Sequence, residues 1–103
     1  MKTTHIEAIT KFIKAAQKLN PKYKGVHTVY GTTIADGKKI SLNEFLRGVF
    51  PGENPVDITT NLMGEKKLVV VPRKGGATVY LSAEAPTGSK TSATDAAKLL
   101  GIS

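Results

Sequence analysis

Residues 54–81, NPVDITTNLMGEKKLVVVPRKGGATVYL, constrain the fold more than any other stretch of the chain. Asn54 is a helix cap, and Pro55 then takes the first helical position, where its missing N–H costs nothing. Val56, Ile58, Thr59, Leu62 and Met63 supply the inner face of this helix, and Lys66-Lys67 hands over to an extended segment. Leu68–Val71 reads as a strand, 72–76 as a tight basic tip containing glycines, and Ala77–Leu81 as the return strand. Both strands are apolar on both faces, with Leu68 and Val70 opposing Val69 and Val71. A half-exposed antiparallel strand alternates apolar with polar residues, so something is expected to cover the second face. The expected cover is a C-terminal helix acting through Ala96, Leu99 and Leu100, in cis or on a partner chain.

The preceding sequence supplies further helices. Thr4 and Glu7 form a capping box, in which the Thr side chain accepts from the backbone N–H three residues on. Ile6, Ile9, Phe12, Ile13, Ala16 and Leu19 then recur at threes and fours, the spacing of one helical face. Asn20-Pro21 stops that helix, because proline disfavours a helical residue before it. Residues 25–30 (GVHTVY) read as a strand. Residues 31–40 contain Asp36-Gly37 and read as a loop or a short hairpin. Ser41 and Glu44 make a second capping box for a helix whose apolar face is Leu42, Phe45, Leu46 and Val49. Phe50-Pro51-Gly52 ends it.

Residues 85–92 are linker-like in composition. Ser92 or Thr94 can cap a short helix running to Leu100, ended by Gly101. The expected organisation is therefore a single domain over residues 1–84, a linker over 85–92, and a short C-terminal helix or tail over 93–103.

The chain of 103 residues has a net charge of +7, unevenly spread. Residues 1–39 hold eight lysines against Glu7 and Asp36. Residues 40–72 are slightly acidic, with Glu44, Glu53, Asp57 and Glu65 against Arg47, Lys66 and Lys67. A basic chain favours anionic partners through counterion release and long-range attraction. There are no cysteines, which excludes disulfides, thiolate metal sites and thiol catalysis. No apolar run reaches the length of a bilayer span or forms a signal core, so a cytoplasmic location and no membrane association are expected.

The order helix, strand, helix, helix, strand, basic tip, strand over residues 4–81 resembles the winged helix-turn-helix superfamily. Its most specific part is the join from Leu62 to Tyr80, where an inward Leu is followed by a polar helix end, an apolar strand and a glycine-containing basic tip. The resemblance implies a small α+β domain of three helices plus a β-hairpin wing, with the C-terminal tail or short helix appended. It implies double-stranded DNA as partner, with the third helix in the major groove and the wing against phosphate or the minor groove. Carried onto this chain, Asn54, Asp57, Thr60, Asn61 and Gly64 face the groove, Lys66 and Lys67 follow, and Arg73, Lys74 and Gly75 form the wing tip. The supposed reading helix has no Arg or Lys before Lys66, and Asp57 faces phosphate unfavourably. Some members of the superfamily bind protein instead.

Lys11, Lys14, Lys18, Lys22 and Lys24 form a stripe along and after the first helix that either adds sequence-independent affinity for a phosphate backbone or is a solvated face. Arg73-Lys74-Gly75-Gly76 is either a phosphate-contacting tip or a hairpin tip charged because it is solvated. His5 and His27 have no carboxylate or cysteine at ligand spacing, so neither suggests a metal or a general base. The expectation is a non-catalytic protein without cofactor, monomeric or homodimeric, that binds double-stranded DNA as a small transcriptional regulator or chromosome-associated protein. The alternative is a protein-interaction module of the same fold. RNA binding is disfavoured, because the strands lack the paired exposed aromatics on which sheet-based readers stack bases.

Overall fold

The computed structural model describes residues 4–28, 32–33, 38–86 and 91–101. Helix α1 spans His5–Leu19. Its cap Thr4 accepts from the Glu7 backbone N–H at 3.2 Å and donates its hydroxyl to the Glu7 carboxylate at 2.9 Å. Strand β1 (Val26–His27) is short and is followed by a small antiparallel hairpin, β2 (Thr32–Thr33) with β3 (Lys39–Ile40). The hairpin alternative for residues 31–40 therefore holds, although Asp36-Gly37 lies outside the described residues. Helix α2 (Leu42–Val49) starts on its Ser41 cap and α3 (Pro55–Gly64) on Asn54, both as the local chemistry predicts.

Strands β4 (Leu68–Arg73) and β5 (Gly76–Leu81) form the main hairpin, and β1 adds to the other side of β5. The tip is tighter than the sequence suggests. Pairing continues through Pro72↔Ala77 and Arg73↔Gly76, leaving Lys74 and Gly75 as a two-residue turn with Gly75 at φ 78°. The sheet order β1-β5-β4 leaves β4 at an edge, where a proline can be carried within a strand because its missing N–H need not complete a second ladder.

The helix count needs a correction. Three helices are expected in the domain, and four are present among the described residues. Helix α4 (Ala93–Leu100) starts on the Ser92 cap. Its Ala96 is 0% exposed and its Leu100 1%, and both belong to the cluster that contains Ile9, Ile13, Leu42, Leu46, Val70 and Val79. Helix α4 is thus built into the main core on the Leu68–Val70–Val79 side, and does not lie as a cover over Val69, Val71, Thr78 and Tyr80. The Asn43 side-chain amide, buried at the start of α2, donates to the Leu100 carbonyl at 3.3 Å and ties down the last turn of α4. What results is a small α+β protein of four helices and a three-stranded antiparallel sheet among its described residues.

Other contacts fix how the helices meet. Phe12 and Phe45 stack with ring centroids 4.6 Å apart, joining α1 to α2. His5 meets the Phe50 ring edge-on at 4.6 Å and the Glu53 carboxylate at 3.0 Å, which pins the start of α1 to the α2–α3 turn. Helix α3 ends in paired bonds from Lys66 N–H to Met63 C=O and from Lys67 N–H to Leu62 C=O. This closure puts Lys66 at φ 62°, a left-handed position usually given to glycine. The Ser82 hydroxyl then donates to the Lys66 carbonyl at 2.7 Å.

Burial of Leu100 makes α4 a structural requirement. Leu100→Ala should lower stability by about 2–5 kcal/mol, the range for deleting a well-packed leucine side chain. Urea unfolding followed by circular dichroism should show the loss as a lower midpoint; an unchanged midpoint would mean that α4 is not part of the core.

Candidate functional site

The residues expected to contact DNA fall into four separate places. On α3, Asp57, Asn61 and Gly64 are exposed along one face. Asn54 spends its side-chain oxygen on the Val56 N–H at 2.9 Å. The Thr60 hydroxyl is turned back onto the Val56 carbonyl at 2.9 Å. Two of the supposed reading side chains are therefore engaged by their own helix. The surroundings of α3 are also not basic: Glu53, Asp57 and Glu65 stand against Lys66 and Lys67, and Lys67 pairs with Glu65 at 3.3 Å.

Lys66 and Lys67 lie at one end of β4, and Arg73 at the other. At about 3.3 Å per residue, the six-residue strand separates them by roughly 20 Å. They cannot serve a single phosphate. On α1, Lys11 and Lys18 are exposed, but Lys14 is drawn to Glu84 at 3.2 Å. The same carboxylate accepts from the Gln17 amide at 3.1 Å on both oxygens. These Gln17 bonds first, and then Lys14, hold the Glu84 carboxyl below the usual range. One lysine of the stripe is therefore occupied in anchoring the segment after β5 to α1.

Arg73 does not project beyond the hairpin tip. Its guanidinium folds back along the sheet, donating to the Tyr80 hydroxyl at 3.0 Å and to the Pro72 carbonyl at 3.2 Å. The strand register explains why. Val69, Val71 and Arg73 on β4, Thr78 and Tyr80 on β5, and His27 on β1 all point to the sheet face away from the helical core.

On that face lies a groove of about 710 Å³. The end of α1 provides Leu19 and Asn20, and the following loop provides Tyr23. His27, Thr78 and Tyr80 form the floor, with Arg73 and Lys39 at the margins. Gly25 is required there by close approach: a Cβ would stand 2.7 Å from the Thr78 methyl and 2.8 Å from two ring carbons of Tyr80. His27 Nδ1 is 3.1 Å from the Thr78 hydroxyl. Burial, and secondarily the Arg73 guanidinium, lower the His27 pKa below the ordinary imidazole value.

Two cations border the groove. Arg73 and Lys39 line it, and Lys18, Lys22, Lys24, Lys38 and Lys74 are chain neighbours of lining residues. Among the described residues no carboxylate lines it. The groove also holds two of the three large apolar side chains exposed on the described surface, Tyr23 at 63% and Leu19 at 48%. An aromatic and an aliphatic group thus stand exposed to water inside a concave surface bordered by Arg73 and Lys39. A second cavity, of about 590 Å³, lies where α3 meets β4 and has Lys66 as its one charged lining residue among the described residues. Among the described residues no group of three or more His, Cys, Asp or Glu could hold a metal, and no helix is long and apolar enough to cross a membrane.

Residue-by-residue reading of the sequence misses this groove, because its parts come from α1, a loop, β1, β3, β4 and β5. A partial signal was present in Lys22-Tyr23-Lys24, a basic–aromatic alternation beside a glycine.

Two consequences can be measured. Gly25→Ala should push the Tyr80 ring off the sheet and cost about 1–3 kcal/mol by overpacking, visible as displaced Tyr80 ring resonances and a lower unfolding midpoint. Because the His27 pKa is lower in the folded than in the unfolded chain, its contribution to stability is complete above the unfolded value and is lost as pH falls through the folded one. Between about pH 7 and pH 5 the wild type should lose more thermal stability than His27→Gln; parallel curves would show that His27 is not held neutral by the fold.

No protein-family model matches the chain, and no curated protein or solved structure matches it either.

Proposed function

We propose that this is a non-catalytic winged helix-turn-helix protein that binds double-stranded DNA, as a small transcriptional regulator or a chromosome-associated protein. The order of α1, β1, α2, α3, β4 and β5, with the basic β4–β5 turn as wing, supports that reading. The observation that carries it is that Lys39 and Arg73, far apart in the sequence, border one groove whose described lining residues include no carboxylate. Such a surface attracts phosphate by releasing condensed counterions, whatever the base sequence. The contribution of α3 is small on this view. Its exposed face carries Asp57 and no cation, and the Asn54 and Thr60 side chains already serve the helix. The phosphate contacts give the affinity, and specificity is weak.

The neutral-to-acidic face of α3 favours a second reading, a protein-interaction module of the same fold. Val49, at the end of α2, is an exposed apolar residue.

The deciding experiment is an amide NMR titration with a blunt DNA duplex at about 50 and 200 mM salt, where neutralising some five phosphates predicts roughly a 10²–10³-fold loss of affinity. Shifts should cluster on Lys18–Lys24, Lys38–Lys39 and Arg73–Gly75, fade at the higher salt, and leave Asp57 and Asn61 nearly unmoved. Absence of shifts at both salts would remove DNA and leave the protein-interaction module.

A further inference from the structure

We infer that the groove on the outer sheet face holds one unpaired nucleotide of a DNA strand, with its base against Tyr23 and Tyr80 and its phosphate between Arg73 and Lys39. The inference rests on reading this end as a nucleic-acid surface, but not on duplex binding.

Shape is the first argument. A duplex offers a phosphate ridge to a convex or flat basic surface, and its bases are enclosed in the stack. This surface is instead a recess of about 710 Å³, within the usual range for one small ligand. A base reaches such a recess only when it is unpaired or turned out of the helix.

The lining chemistry is the second argument. Tyr23 is 63% exposed on the loop between Asn20 and Gly25, and Tyr80 lines the same groove from β5. Every base has an apolar face that stacks on an aromatic ring, so two tyrosines provide affinity without sequence preference. An acidic peptide would satisfy the cations, but it offers a planar group only where it carries an aromatic side chain, whereas every nucleotide carries both a phosphate and a planar base. The Tyr80 ring is held in place by Gly25 beneath it and by Arg73 at its hydroxyl. Preorganisation of that kind matters, because a ring already ordered loses less freedom when a base arrives.

Arg73 supplies the third. A guanidinium has five N–H donors, and the bonds to Tyr80 and Pro72 use only part of them. The side chain can therefore orient the tyrosine and still meet a phosphate oxygen, with Lys39 as a second point charge on the groove margin. The position of Tyr23 between Lys22 and Lys24 puts further cations beside a stacked base, where the strand would leave the groove.

Fluorescence anisotropy with labelled oligo(dT) and oligo(U) of about ten nucleotides, a length within the range bound by small single-strand domains, tests this against a blunt duplex of the same length. The full chain is compared with Tyr23→Ala, Tyr80→Phe and, as a control on α1, Lys11→Ala. Tyr23 is exposed, so its loss should leave folding intact, which a melting curve verifies. The expected result is oligo(dT) binding that Tyr23→Ala weakens about tenfold or more, the loss of one base–aromatic stack. Tyr80→Phe, which frees Arg73 but keeps the ring, should weaken it less, and duplex binding should change less than about twofold with either variant. If oligo(dT) does not bind, or Tyr23→Ala leaves it unchanged or weakens duplex and single strand equally, the inference is overturned while duplex binding can still stand. If oligo(dT) binds in a Tyr23-dependent way and the duplex does not bind, the groove assignment stands and the duplex reading fails. Tighter, Tyr23-dependent binding of oligo(U) would overturn DNA as the occupant.

Discussion

The double pairing of β5 is the constraint on which the rest of this structure depends. β5 is bonded to β4 along its whole length on one side and to the short β1 on the other. Alternation along a strand then divides its side chains between two tasks. Ala77 and Val79 enter the core with Ile9, Leu42, Leu46 and Leu100, and Thr78 and Tyr80 form the floor of the groove. A shift of one residue in register would exchange the two sets and place Tyr80 in the core and Val79 in water. Core and candidate site are therefore held by the same hydrogen bonds.

The buried polar groups are mostly satisfied close to home. The Thr59 hydroxyl bonds the Pro55 carbonyl within its own helix, and the Thr28 hydroxyl bonds the Ala77 carbonyl across the sheet. Asn43 does more, since its amide joins α2 to the end of α4. That bond, with Ala96 and Leu100, makes the C-terminal segment part of the main core rather than an appendage. In a chain of this length the core is small, and two more enclosed apolar side chains are a material addition.

The electrostatics separate into two regions. Around α3 the carboxylates of Glu53, Asp57 and Glu65 offset Lys66 and Lys67. At the other region, the end of α1, the loop after it, Lys38–Lys39 and the hairpin turn bring together cations from distant parts of the sequence. The basic character of residues 1–39 was legible from composition. Its meeting with Arg73 was not, because that depends on β1 pairing with β5 and on Arg73 folding back towards Tyr80.

Local chemistry by itself determined most of the elements. Thr4, Ser41, Asn54 and Ser92 each have a side-chain oxygen that takes an otherwise unpaired N–H of a first helical turn, and each marks a helix start in the structure. The β4–β5 hairpin followed from its β-branched strands and its glycines. Such features act over three to five residues, the distance within which a sequence specifies its own hydrogen bonds. The left-handed Lys66 was not foreseen, because the closure of α3 that requires it usually falls on a glycine, and here a lysine takes that place. The place of α4 and the existence of the groove were likewise decided only by tertiary structure. An apolar stripe such as Ala96–Leu100 says that a helix must be covered, but the hydrophobic effect has no direction and does not say by what. Tyr23, Tyr80 and Arg73 are separated along the chain, and only the register of three strands and the end of α1 put them around one recess.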